Sequence, residues 1–336
     1  MTPRKDLLTL TPAGLYCERA GVFLDPIQPC DRALISHGHS DHARRGMRNY
    51  ICTETTMPVL FHRLGSDISV TTVAYEETIA INGVHFSFHP AGHVPGSAQI
   101  RVEHRGEVWV YSGDYKTEND GVSTPFTPVQ CHTFISECTF GLPIFHWAPQ
   151  ADVFNEIQTW WTRNNARGVH SVLSVYSLGK AQRVLEHLDR AIGPLFVHPT
   201  IQRTSEVLGF SHQSDPQVSE SPLLIVKTPG EGLPFTPSKR FPAEHATASG
   251  WMSIRGFKRR SDLQRGFVLS DHADFNGLIS SIRETKAERV LLTHGYTSQL
   301  ARYLCEAGIH ASELGSDEHP LENVPSNRGL SEARDE

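Results

Sequence analysis

No stretch of this 336-residue chain approaches the roughly 20 consecutive apolar residues that a membrane-spanning helix requires. The opening residues Met1-Thr2-Pro3-Arg4-Lys5-Asp6 lack the apolar core of a secretory leader. The six cysteines, at 17, 30, 52, 131, 138 and 305, form no CxxC pair and read as reduced thiols. Together these absences make a cytoplasmic protein the expectation. An excess of positive charge is missing too: 31 basic against 37 acidic side chains leave a formal charge of −6. That excludes a basic coat for nucleic acid, though not a nuclease whose bound metal ions supply positive charge where phosphate sits. Lys239-Arg240 and Arg255, Lys258, Arg259, Arg260 and Arg265 form a basic stretch that could track a phosphate backbone. There is no internal repeat.

What the chain has is histidine. Nineteen are present, and His37-Gly38-His39-Ser40-Asp41-His42 packs four potential metal ligands into six residues, just after the apolar run Ala33-Leu34-Ile35. The two-residue period of extended chain puts His37 and His39 on one face, and Asp41 and His42 turn towards the same space. Mixed nitrogen and oxygen donors suit Zn²⁺ or a similar divalent ion. Six residues cannot complete the coordination of two ions, so further ligands must come from elsewhere.

They recur at strand ends. His93 follows a strand read at 84–88, Asp114 one at 108–111, Glu137 one at 133–136, His272 one at 266–270 and His294 one at 290–293; Asp25 ends Val22-Phe23-Leu24. Functional groups on β-rich scaffolds gather at one set of strand ends. The pattern changes after residue 150. Helices are expected at 152–164, 179–192 and 199–208, alternating with strands at 171–175, 195–197 and 223–226, which describes a small open α/β unit. A helix is read at 275–285, and the polar stretch 316–336 is expected to lack fixed structure. Two small-residue segments, Ser177-Leu178-Gly179-Lys180 and Ala246 to Trp251 with Ser249 and Gly250, are weak candidates for phosphate binding.

The order His37-x-His39-x-Asp41-His42, then His93, then Asp114, resembles the metallo-β-lactamase superfamily, with Asp25 at its early aspartate. Glu137, His272 and His294 resemble the three extra motifs of its β-CASP nucleases, as do Ser136-Glu137-Cys138-Thr139-Phe140-Gly141 and Ser177 to Gln182; the likeness runs over roughly residues 8–315. Within that group the chain looks most like the bacterial DNA-ligase-associated exonucleases.

The resemblance implies an α/β fold: an αββα metallo-β-lactamase sandwich built from residues 1–150 and 256–315, with a β-CASP α/β domain inserted at 151–255. It implies two divalent ions, Zn²⁺ or Mn²⁺, one held by His37, His39 and His93, the other by Asp41, His42 and His294, with Asp114 between them. A hydroxide held between the ions would attack the scissile phosphate of DNA. By the same likeness, His272 gives a proton to the leaving oxygen or holds a phosphate oxygen, Glu137 orients it, and Asp25 fixes a histidine tautomer. A DNA-repair exonuclease working alongside a DNA ligase and a helicase is the implied role. RNA stays open as substrate, in mRNA 3′-end processing or RNase J-like turnover: eukaryotic DNA-directed members generally lack a histidine at the third motif, whereas RNA-directed members have one. A small-molecule metallo-hydrolase fits less well, because a lid of about a hundred residues is unnecessary over a small substrate. A scaffold without catalysis is disfavoured by the complete donor set.

Overall fold

The computed structural model describes residues 6–215, 221–233, 242–254 and 264–316. The basic positions Lys239, Arg240, Arg255, Lys258, Arg259 and Arg260 lie outside the described residues, as does the tail expected to lack structure beyond Ser316. Among the described residues no helix is long and apolar enough to cross a membrane.

Two sheets form the body. The first has six strands in sequence order, from Thr9–Thr11 through Val22–Leu24, Arg32–Leu34 and Asn49–Thr53 to Val70–Val73, with the later pairings parallel. The second has seven and runs from Ala311–Glu313 through Arg289–Gly295, Thr133–Cys138, Glu107–Tyr111, Ala98–His104 and Val84–Pro90 to Thr78–Ile81. Alternation along the strands decides how they stack. Leu15, Leu24 and Leu34 of the first sheet share one core with Phe86, Phe88, Ile100, Val102 and Trp109 of the second. The opposite faces are apolar as well, and helices cover them. Leu60 and Leu64 of helix Thr56–Leu64 pack on Ala33, Ile35, Tyr50 and Cys52. Leu278 and Ile282 of helix Phe275–Glu284, with Leu300 and Leu304 of Thr297–Glu306, pack on Val110, Phe134, Val290 and Leu292. The layers are therefore helix, sheet, sheet, helix.

A third sheet is entirely parallel, in the order Leu195–Val197, Leu224–Lys227, His170–Ser174, Ala243–Ala248, Arg265–Phe267. Parallel strands need covering helices, and Gln150–Ala166, Lys180–Glu186 and Pro199–Val207 supply them, with Trp160, Trp161, Val184 and Ile201 buried in a separate core. Two sequence expectations shift here. The helix read at 179–192 stops at Glu186, and a short 3₁₀ turn Arg190–Ile192 follows, because the Asp189 carboxylate accepts from Ala191 N at 2.9 Å and competes with helical bonding. The strand read at 266–270 ends at Phe267 and pairs with Ala243–Ala248, so the third sheet extends beyond residue 255. Phe267 and Leu269 pack into the third sheet's own core, a choice of partner that strand periodicity does not reveal.

Candidate metal centre

Asp25, His37, His93, Asp114, Glu137 and His294 all sit at or just past the ends of sandwich strands. Asp25 follows Val22–Leu24 in left-handed backbone (φ 42°), and His37 lies three residues past Leu34. His93 and Asp114 each lie three residues beyond their strands. Glu137 and His294 are within the last two residues of theirs, next to the register shift between Glu137 and Cys138; His294 is also left-handed (φ 54°).

Here four side chains converge. One donor atom from each of His37, His39, His93 and Asp114 lies within 4.8 Å of the others, and the same holds for His37, Asp41 and His42. Asp114 is the hub: its Oδ2 is 3.5 Å from His37 Nε2, 3.4 Å from His42 Nε2 and 3.7 Å from His93 Nε2.

The hydrogen bonds on the outer side of each ring fix what the inner side offers. Ser36 Oγ gives its proton to Asp25 Oδ2 at 2.5 Å, so it accepts from His37 Nδ1 at 3.0 Å. His39 Nε2 donates to the Leu178 carbonyl at 3.3 Å, and His93 Nδ1 to the Asp271 carbonyl at 2.9 Å. The remaining nitrogens of these three rings are then bare lone pairs, yet His39 Nδ1 lies 3.1 Å from His37 Nε2 and 3.0 Å from His93 Nε2. Lone pairs do not crowd like this unless a cation joins them. Nitrogens around a tetrahedral ion at Zn–N distances would stand about 3.3 Å apart. The residues fit a divalent metal.

Charge agrees. Burial, then the neighbouring His42 and His93, push His37 well below its ordinary range, and burial and then His272 bring His93 down to about 3. Both shifts favour the neutral ring, the form a metal ligand takes. Burial alone would raise the Asp114 carboxyl, but the adjacent His42 holds it well below the carboxylate range. His42 runs the other way: burial would lower it, but Asp114, Tyr111 and Asp25 around it raise it, so an ion bound at Nε2 must displace a proton there. Asp25 accepts from Ser36 N at 2.7 Å, from Tyr111 Oη at 3.0 Å and from His42 Nδ1 at 2.7 Å, which aims His42 Nε2 at Asp114.

No family model matches the chain. It is 31% identical over 314 residues to a probable DNA ligase of Opitutus terrae, an alignment covering 90% of this chain and 31% of the ligase. It is 21% identical over 346 residues to an RNase J-like protein of Methanocaldococcus jannaschii, covering 79% of this chain and 81% of that one. The chain fits the β-CASP group of the metallo-β-lactamase fold. A solved structure from Enterococcus faecalis, titled a protein of unknown function, shares the fold at a TM-score of 0.57 and 10% identity, covering 85% of this chain and 79% of that one. The chain spans about a third of the length of the ligase it matches.

The residues at the extra β-CASP motifs gather beside the centre. His272 Nδ1 is 2.8 Å from Glu137 Oε1, and the His272 ring lies 4.7 Å from that of His93 between centroids. Glu137 is fully engaged: Oε1 also accepts from Tyr115 N at 2.9 Å, and Oε2 accepts from Thr139 Oγ1 at 2.6 Å and Thr139 N at 3.2 Å. His294 is exposed, with its ring 5.6 Å from that of His42, farther out than the other donors. Its carbonyl accepts from Cys138 Sγ at 2.9 Å, which gives Cys138 a place in the site's scaffold.

A cleft opens over these groups between sandwich and third sheet, lined by His39, Asp41, His93, Asp114, Phe140, Tyr176, Lys180, Ser249, Gly250, Trp251, Asp271 and His272. Lys180, Ser249 and Gly250 thus face it, but Ser177 and Gly179 have other duties. The Ser177 carbonyl accepts from Gln182 Nε2, and the Gly179 N–H donates to Gln182 Oε1 at 2.8 Å. Gly179, at φ 88°, has Val94 Cγ1 only 2.3 Å from where a Cβ would sit, so its lack of a side chain serves close packing. Sequence reasoning assigned no role to Asp271, Arg183, Phe140 or Tyr176. For Asp271 a signal existed in its place beside His272; the others are set by tertiary contact alone.

Proposed function

We propose that this protein is a metal-dependent phosphodiesterase that trims DNA ends as an exonuclease in repair. The observation that carries the reading is the set of three bare imidazole nitrogens facing one another around Asp114, next to a histidine already oriented by a buried glutamate. His37, His39, His93 and Asp114 would hold one ion; Asp41, His42 and His294 would hold the second, with Asp114 shared. Bound divalent ions lower the pKa of water and neutralise charge on a phosphoryl oxygen. The nitrogen-rich donor set favours Zn²⁺, and Mn²⁺ is the alternative to test.

The protein's own groups do the rest. Glu137 holds His272 through Nδ1, and Nε2 is the atom that would deliver a proton to the departing oxygen or hold a phosphate oxygen. Trp251, half-buried along the cleft, would give bases an aromatic surface to pack on. DNA as the substrate is supported by the likeness across 90% of this chain to part of a probable DNA ligase. Partnership with a ligase and a helicase, in the cytoplasm, belongs to the same reading. RNA is the second reading, favoured by the RNase J-like relative that matches along most of its length and by His294. Metal analysis combined with digestion of matched DNA and RNA strands labelled at either end separates them. We expect about two divalent ions per chain and stepwise release from DNA ends. Protein that binds no metal and cleaves neither polymer would overturn the assignment.

A further inference from the structure

Two of the three histidines around Asp114 donate their outer hydrogen bond to carbonyls outside the sandwich. The acceptor for His39 is the carbonyl of Leu178, which follows the third-sheet strand His170–Ser174. The acceptor for His93 is the carbonyl of Asp271, where the chain leaves the third sheet after Phe267. The Ser270-Asp271 segment is held by one short helix, Lys180–Glu186. Arg183 is fully buried, and its Nη2 donates to the Ser270 carbonyl at 2.9 Å and to Asp271 Oδ1 at 2.5 Å. Lys180 Nζ takes the other oxygen of Asp271 at 3.1 Å. Leu178 is fixed by packing against Val59 and Val94 of the sandwich.

We infer that the third-sheet unit is a working part of the metal centre: through Arg183 and the Leu178 and Asp271 carbonyls it sets the tautomers of His39 and His93, so its docking controls affinity for the first ion. The inference rests on the metal-dependent reading above and deepens it. A histidine that loses its outer acceptor can carry its proton on the inward nitrogen and present N–H where a lone pair is needed. Partners of this kind typically change metal affinity by about 10–100-fold. Arg183 is then a positioning residue acting from outside the coordination sphere. The consequence is regulatory as well, because any separation of the two units, by substrate or partner, would loosen the ion.

The test uses the full chain, Zn²⁺ and a competing chromophoric chelator. Parent protein that takes up no Zn²⁺ would refute the metal-dependent reading itself, whatever the variants do. If the parent binds, Arg183→Met is expected to weaken the tighter site about 10–100-fold, while ¹⁵N spectra of the chelator-treated protein show His93 shifting from a single tautomer to a mixture and His39 keeping its own. Arg183→Lys keeps the charge but reaches fewer acceptors, and an intermediate affinity is expected. Thermal unfolding of the chelator-treated proteins checks that each variant is folded. A folded Arg183→Met protein with parental Zn²⁺ affinity and parental tautomers would overturn the inference. Should Arg183→Met fail to fold, unchanged affinity in Arg183→Lys would overturn it instead.

Discussion

Replacing Asp25 with asparagine should cripple the second ion's site while leaving the backbone undisturbed. Asp25 sits at φ 42°, a conformation asparagine adopts about as readily as aspartate, so the change isolates the hydrogen bonds. The carboxylate accepts four: from Ser36 N, Ser36 Oγ, Tyr111 Oη and His42 Nδ1. An amide has one oxygen and one NH₂. The oxygen must face Ser36 N, which cannot reverse its role, so the NH₂ meets the other three. Two of these are hydroxyls that can turn to accept. His42 Nδ1 can accept only by moving its proton to Nε2, which lies 3.4 Å from Asp114 Oδ2. That proton then occupies the direction a metal needs. Loss of one or two charge-assisted bonds, at about 1.5–3 kcal/mol each, should lower stability by about 1.5–6 kcal/mol. Loss of the tautomer should weaken the second ion about 10–100-fold, or about 1.4–2.8 kcal/mol. Urea unfolding in chelator reads the first quantity and Zn²⁺ titration of the folded protein reads the second. If the variant binds both ions like the parent and unfolds within about 0.5 kcal/mol of it, the assignment of Asp25 is refuted.

Three further outcomes are expected. His272→Ala should retain parental metal content while turnover on labelled DNA falls about 10²–10⁴-fold; unchanged turnover would remove His272 from the chemistry. Gly179→Ala places a methyl on Val94 at φ 88° and should cost about 2–4 kcal/mol in chemical denaturation; a neutral result would show that the packing there is slack. Burial alone would raise Asp271, but Lys180 and then Arg183 hold it well below the usual carboxylate range. A depressed carboxyl stabilises fully above its unfolded value of about 3.9 and loses that contribution as pH falls further. Asp271→Asn should therefore be less stable than the parent near neutrality, and the gap should close below about pH 4. A gap that widens on acidification would contradict the ion-pair assignment.

Asp25, His93, Asp114, Glu137 and His294 were readable as polar groups at or just past the ends of short apolar strands. Val108-Trp109-Val110-Tyr111 alternates cleanly, and Asp114, three residues past its end, must emerge at a sheet edge with the other strand ends. The alternation of helices and strands after residue 150 was legible, and the third sheet forms there. The partners of strands were not. Arg265–Phe267 carries the same pattern whether it joins the second sheet or the third, and only the packing of Phe267 with Trp160 decides. The Arg183–Asp271 pair was equally invisible, because it joins residues 88 apart and both types are ordinarily solvated. His294 shows the converse. Its position is plain in the sequence, yet its backbone conformation and exposure place it at the rim of the cluster.

The outer bonds of the three histidines also bear on how the chain matures. His37, His39 and His93 are all made within the first third of the polypeptide, but the carbonyls that fix two of them arrive with residues 178 and 271. A nascent or truncated chain ending before residue 178 would hold the ligands without their orientation, and would bind Zn²⁺ loosely and without selectivity. Metal capture is thereby tied to completion of the fold. Refolding in the presence of Zn²⁺ should show tight uptake as a late event, trailing the burial of the sandwich core.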